Sequence, residues 1–299
     1  MTTTIPRLAP GVWGILATPF LGPEGPVDLG SFVRQIEFYR EVGVQGVVAL
    51  GVFGEAAKQS ATEQRQVIDA VTGAAESLGV VIGLTPLSTA PAVAQAEVAV
   101  KSLGDALSGV MAQVNSSDPV IVSRHLQAIH EETGAGIVIQ DYPKSSGVRI
   151  GTTALLEVMA ACPFTVAVKA EAPPTPPAIA ELTAVSDVPV FGGLGGVGLL
   201  DELMAGAAGA MTGFSHPEGL VAAVEAFQTS GFEAAYEAYA RWLPVANFEN
   251  QEGVALAIRK AILHERGILG DPNPRQPAGR FPEQLRDTMV AHLRALGTI

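Results

Sequence analysis

Short apolar runs alternate with longer amphipathic stretches along the chain as far as residue 218. The runs fall at residues 12–17, 45–50, 80–84, 107–114, 136–140, 164–168, 188–191 and 208–212, and each is rich in Val, Ile, Gly or Ala. Continuous apolarity over so short a span, without polar alternation, predicts parallel strands buried on both faces. After the runs come turns rich in Gly, Pro or Ser and then stretches of helical period, at 29–42, 62–78, 90–103, 117–133, 152–161, 178–185 and, more briefly, 199–206. The boundary signals agree: Asp28 stands as a cap, Thr62 and Glu63 open the second helix, and Gly43, Gly79 and Gly134 act as stops. Eight strand–helix units in succession predict an α/β fold of the (β/α)8 TIM-barrel type rather than an open doubly wound sheet, which uses fewer strands.

Beyond residue 218 the strand pattern stops. Residues 221–230, 232–242, 249–266 and 282–296 read as helices, and a Pro- and Gly-rich loop at 270–277 separates the last two. No low-complexity linker intervenes. Residues 1–220 are therefore expected to form the barrel and residues 221–299 a C-terminal helical extension packed on it.

In such a barrel the reactive groups lie at the carboxyl ends of the strands. The sixth run ends in Lys169, with Glu171 two residues on. Alternation places Thr165, Ala167, Lys169 and Glu171 on one face, and Phe164, Val166 and Val168 on the other, under the helices. Burial disfavours the charged form of a lysine, and the neutral amine attacks carbonyls, as Schiff-base catalysis requires. The bland alternative is a lysine that snorkels to solvent; the small inward face below Lys169 and the nearby Glu171 favour the reactive one. After the second run, Gly51-Val52-Phe53-Gly54-Glu55 forms a tight turn able to offer N–H groups to a carboxylate. Gln140-Asp141-Tyr142-Pro143 brings polar groups to the same end after the fifth run, and His216 is expected at the rim or on the substrate after the eighth. Tyr142 is read as a packing residue or a proton carrier.

Gly193, Gly195 and Gly198 match the spacing of a dinucleotide-binding turn, which would imply an NAD-dependent oxidoreductase. The motif comes in the seventh unit, however, without the two-half architecture it normally opens. Gly193 and Gly195 are instead read as room for a substrate to approach the backbone.

Composition narrows the field. A net charge of −12 with no Lys/Arg-rich run argues against a nucleic-acid partner or an anionic membrane surface. No apolar run approaches the length of a membrane span, and residues 1–10 lack the apolar stretch of a secretory signal. The single cysteine, Cys162, excludes an internal disulfide and fits a reducing, cytoplasmic compartment. The five histidines are scattered without metal-ligand spacing, and no nucleophile elbow is present, so no metal and no cofactor is expected.

With these residues in view, the chain resembles the dihydrodipicolinate synthase / N-acetylneuraminate lyase family. The resemblance is carried by Thr18-Pro19-Phe20, the Gly-x-x-Gly-Glu turn ending at Glu55, the Pro143-x-x-x-Gly147 element and Lys169. It implies a barrel with C-terminal helices, a homo-oligomer (a tetramer), and a Schiff base between Lys169 and a small-molecule 2-oxo acid whose carboxylate sits on the turn from Gly51 to Gly54. The departures are informative. Val52 and Phe53 stand where the family usually has hydroxyl residues, Gln140 where it has a catalytic tyrosine, and Ser145 where the synthase has an arginine. The proton relay for dihydrodipicolinate synthesis is thus missing. Lys169, Glu171, the turn and the glycine-rich strand-seven end are instead similar to the 2-keto-3-deoxy sugar acid dehydratase branch. The expected activity is dehydration of such an acid, for example L-2-keto-3-deoxyarabonate, with Glu171 as the acid–base group. The alternatives are a pyruvate-releasing aldolase, a synthase-like condensation on the same imine, and a non-catalytic 2-oxo-acid-binding protein.

Overall fold

Strands β1 (Gly11–Ile15), β2 (Gly46–Ala49), β3 (Gly79–Gly83), β4 (Leu107–Gln113), β5 (Ile137–Asp141), β6 (Thr165–Ala170), β7 (Val190–Gly192) and β8 (Gly209–Thr212) pair in parallel and in chain order, and β8 returns to β1 to close the barrel. The structure is a computed structural model that describes residues 5–299. Helices α1 (Leu29–Glu41), α2 (Ala61–Ala74), α3 (Thr89–Leu103), α4 (Pro119–Thr133), the single turn α5 (Pro143–Ser146), α6 (Thr152–Ala161), α7 (Thr175–Val185), α8 (Leu199–Met204) and α9 (Pro217–Ser230) follow the strands. Then come α10 (Phe232–Ala240), α11 (Leu243–Phe248), α12 (Ala255–Glu265) and α13 (Arg286–Leu296). No helix is long and apolar enough to cross a membrane among the described residues.

Local chemistry explains the boundaries. Asp28 accepts the Ser31 N–H at 3.1 Å to start α1. Helix α2 starts one residue before the expected Thr62, because Ser60 and Glu63 cap each other's backbone. It also stops short of residue 78: Glu76 takes a left-handed φ of 49°, and Gly79 is not a stop but the first residue of β3. The expected helix 249–266 is shorter: only α12, from Ala255 to Glu265, is helical there, α11 occupies residues 243–248 just before it, and residues 249–254 form a break in which Gly253 sits at φ 80°. That break opens onto the barrel mouth.

Outward strand residues pack under the helices in the larger core, whereas Trp13, Ile15, Val48, Val81, Met111, Val138, Phe191 and Met211 fill the barrel itself. The Trp13 ring occupies the lower end because Gly46 and Gly79 lack side chains that would strike it. In β6 one expectation fails. The register slips between Ile137 and Val138, which pair with Thr165 and Ala167 and leave Val166 as an extra residue. Val166 and Ala167 therefore both join the inner core, and alternation resumes above them with Val168 outside.

The expected barrel boundary at residue 220 falls inside α9, the helix that follows β8, so the extension proper is α10–α13. A buried ion cluster ties it down. Lys260 on α12 is fully buried and donates to Glu55 Oε1 and to the Thr18 carbonyl, each at 2.9 Å, with its ammonium 4.6 Å from the Phe20 ring centroid. Glu55 also receives Lys58 Nζ at 2.9 Å and the Arg275 N–H at 3.0 Å.

Candidate active site

Extended pairing continues one residue past β6: the Glu171 N–H donates to the Asp141 carbonyl at 2.9 Å. This keeps Glu171 on the same face as Lys169, while the register sets Gln140 of β5 beside Lys169. The three side chains meet. Lys169 Nζ lies 2.9 Å from Glu171 Oε2, and Gln140 Nε2 donates to the same oxygen at 2.7 Å. All three residues are buried. The other carboxylate oxygen, Oε1, faces the Leu194 N–H at 3.5 Å. Gly193 is required here, because a Cβ at that position would stand 2.5 Å from both Glu171 Cγ and Oε1.

This cluster lines a cavity of about 240 Å³ at the carboxyl end of the barrel. Gly51, Val52 and Phe53 form part of its wall, and the N–H groups of Val52 and Phe53 donate to no protein acceptor among the described residues. Gly54 lies one layer back, where its carbonyl accepts Thr18 Oγ1 at 2.7 Å and Gln59 Nε2 at 2.8 Å. Glu55, last in the motif, turns away from the cavity into the ion cluster. Tyr142 also lines the cavity, and burial, followed by the Glu171 charge, raises its phenol. The same two causes push the Asp141 carboxyl up to about 6 against the pull of Arg149.

The strand-seven glycines do not form a phosphate cradle. Gly195, at φ 74°, lines the cavity and donates its N–H to Thr212 Oγ1 at 2.8 Å. Behind them the buried Glu202 carboxyl packs so closely against Gly192 that a side chain there would strike it, which leaves no room for a phosphate. The rim position expected of His216 is a correction: its ring is fully buried outside the cavity, 5.4 Å from the Trp242 ring centroid and 3.3 Å from Thr298 Oγ1. Pro217 starts α9 at the next residue. Burial lowers the imidazole to about 3, so it is neutral near neutral pH.

Sequence reasoning missed the contribution of the extension. Asn250, Gln251 and Glu252, in the break between α11 and α12, line the mouth together with Arg259 of α12. Lys144 of α5 reaches across to Glu252 at 2.8 Å. The one available signal was the pair Arg259-Lys260 inside the otherwise apolar run from Ala255 to Leu263. A larger cleft of about 430 Å³ lies at the opposite end of the barrel, beside Trp13 and Ser108. It holds none of the convergent groups described above, and the carboxyl end is where barrels of this kind place their chemistry.

Comparisons with known proteins agree with this architecture. The model of the Dihydrodipicolinate synthetase family matches residues 9–296. The chain is 26% identical over 298 residues to L-2-keto-3-deoxyarabonate dehydratase of Azospirillum brasilense, covering 96% of this chain and 94% of that enzyme. It is 33% identical to 4-hydroxy-tetrahydrodipicolinate synthase of Desulfotalea psychrophila, over 149 residues that span 49% of this chain and 50% of that one. The crystal structure of dihydrodipicolinate synthase from Rhodopseudomonas palustris superposes with a TM-score of 0.90 at 27% identity, covering 98% of this chain and 100% of that one. The chain belongs to the dihydrodipicolinate synthetase family and is a lyase of that family.

Proposed function

We propose that the protein dehydrates a 2-keto-3-deoxy sugar acid, such as L-2-keto-3-deoxyarabonate, through a Schiff base on Lys169. One observation carries the reading: a buried carboxylate, Glu171, shared between the amine of Lys169 and the amide of Gln140. Likeness along almost the whole chain to a dehydratase of this kind supports it.

Glu171 accepts the ammonium proton across the 2.9 Å contact, and the freed amine adds to the C2 carbonyl. Unpaired N–H groups of the turn after β2 hold the substrate carboxylate. Loss of water from the carbinolamine, with Glu171 returning the proton, leaves an iminium that acidifies C3. Glu171 then takes a C3 proton, and the resulting enamine expels the C4 hydroxyl, which leaves as water with that proton. Hydrolysis frees Lys169 and an unsaturated keto acid that tautomerises, so one water is lost and the carbon chain stays whole. Gln140 fixes the carboxylate through this double use, in a position where a tyrosine relay would otherwise stand.

Borohydride reduction in the presence of a panel of 2-oxo acids, followed by mass mapping, tests the imine, and product analysis tests its fate. The expected result is a mass increment on Lys169, and a product that keeps every substrate carbon. An unmodified Lys169 with every acid sinks the reading, while pyruvate plus an aldehyde would make the enzyme an aldolase.

The family resemblance and an exposed apolar patch support a homo-oligomer as well. Leu87 in the loop between β3 and α3 and Val120 and Ile121 at the start of α4 are 38%, 53% and 51% exposed. If this patch is the subunit contact, Val120→Glu with Ile121→Glu lowers the mass seen by light scattering; an unchanged mass, or a monomeric parent, removes the proposal.

A further inference from the structure

Helix α12 carries two adjacent cations that face different ways. Lys260 turns toward Glu55, whereas Arg259 lines the cavity. Arg259 is held from behind. Its Nε donates to Glu249 Oε1 at 2.9 Å and its Nη2 to Asn250 Oδ1 at 3.1 Å, and its guanidinium carbon lies 5.6 Å from the Phe53 ring centroid. Gly195 makes room for it, since a Cβ there would meet Nη2. Among the described residues no protein group accepts from Nη1. A guanidinium has five donors in a fixed fork, and this one, only 9% exposed, keeps some of them unpaired beside an open cavity. Nη1 thus keeps its donors for water or a ligand in the cavity.

The carboxylate and the keto group of the substrate already have partners in the turn after β2 and in Lys169. The polar groups left over, Arg259, Asn250 and Tyr142, gather where the extension covers the mouth. Glu249 is fully buried and also receives the Ser215 N–H and hydroxyl, so its charge offsets the guanidinium. The remaining fork suits hydroxyl oxygens better than a second carboxylate. We propose that Arg259 reads the hydroxylated far end of the sugar acid, as a specificity-determining residue supplied by the C-terminal extension. The inference rests on the Schiff-base reading of Lys169.

The parent protein is first trapped with pyruvate and borohydride; failure to modify Lys169 overturns that reading and this inference with it. Turnover is then compared on a five-carbon 2-keto-3-deoxy sugar acid and on its analogue lacking the terminal hydroxyl. The parent is expected to prefer the hydroxylated acid by about 10- to 100-fold in kcat/KM, the worth of a hydrogen bond from a charged donor. In Arg259→Met the preference collapses to within about twofold, as it must when the donor is gone. The double variant Arg259→Met with Glu249→Gln leaves no buried charge unpaired and shows the same collapse if the single variant does not fold. A preference that survives substitution overturns the proposal. So does a greater loss on a substrate ending in a second carboxylate, which would make Arg259 a carboxylate site.

Discussion

The reaction proposed above asks Glu171 both to take and to return protons, which requires that it be held still, and it is held from three sides by Lys169, Gln140 and the tight approach of Gly193. Two substitutions separate its roles. Glu171→Gln keeps the shape and the amide contact but removes the base; dehydration falls by about 10²- to 10⁴-fold, as measured by steady-state turnover. Turnover at the parent rate would mean that another group carries the proton. Gly193→Ala deletes no reacting group but puts a methyl 2.5 Å from Glu171 Cγ and Oε1. Its kcat is expected to drop at least tenfold through displacement of the carboxylate, and borohydride trapping of Lys169 to slow with it, since Glu171 also frees the amine; an unchanged kcat would mean that the site tolerates the methyl. At this scale the sequence was legible where strand alternation sufficed, since Lys169 and Glu171 are two apart and face one way. It was not legible at Val166, whose inward turn comes from a register slip against β5 that no single segment encodes. Nor was it at His216, whose burial comes from contacts with Trp242 and Thr298, far along the chain.

Elements were legible in proportion to how local their signals are. Helix α6 runs over the expected residues, and α1 and α3 differ by a single residue at one end, because caps and periodicity are written nearby. The break between α11 and α12 was hidden, because one glycine inside a periodic stretch does not reveal whether a helix continues, and the residues in that break line the cavity. Long-range pairing decides where α12 sits. Glu55, two strands into the chain, receives Lys260 from α12, and Arg259 reaches the cavity from the adjacent position. Lys260→Met removes one partner of a buried pair and leaves Glu55 with Lys58 and the Arg275 N–H. The expected cost is about 3 kcal/mol by denaturant unfolding, the lower end for such a deletion. Adding Glu55→Gln recovers part of that loss if the pair is coupled. A single variant as stable as the parent would show that α12 is held by its apolar face alone.

For the whole molecule, the buried carboxylates around the barrel mouth set how stability responds to pH. Burial, with the charges of Glu171 and Asp201 adding to it, pushes the Glu202 carboxyl up to about 7 from 4.5, although Thr175 Oγ1 donates to it at 2.6 Å. Its other oxygen, Oε2, is buried without a partner among the described residues. The folded chain therefore binds this proton more tightly than the unfolded chain does. The stability it brings is fully present below the ordinary carboxylate range and is lost as pH rises toward about 7, a swing on the order of 3 kcal/mol. Asp141 acts in the same sense through about 6. Glu63 acts in the opposite sense: its bond to Arg275 holds it down at about 2, so its contribution is present above the ordinary range and fades only in acid. Glu202→Gln isolates the first effect, because the amide mimics the protonated carboxyl at every pH. Relative to the parent, the variant should gain stability between about pH 5 and pH 8, by an amount approaching that swing, in unfolding free energies measured across the range. A difference that stays constant with pH would show that Glu202 is already ionised in the folded barrel, and that the negative field of Glu171 does not reach it.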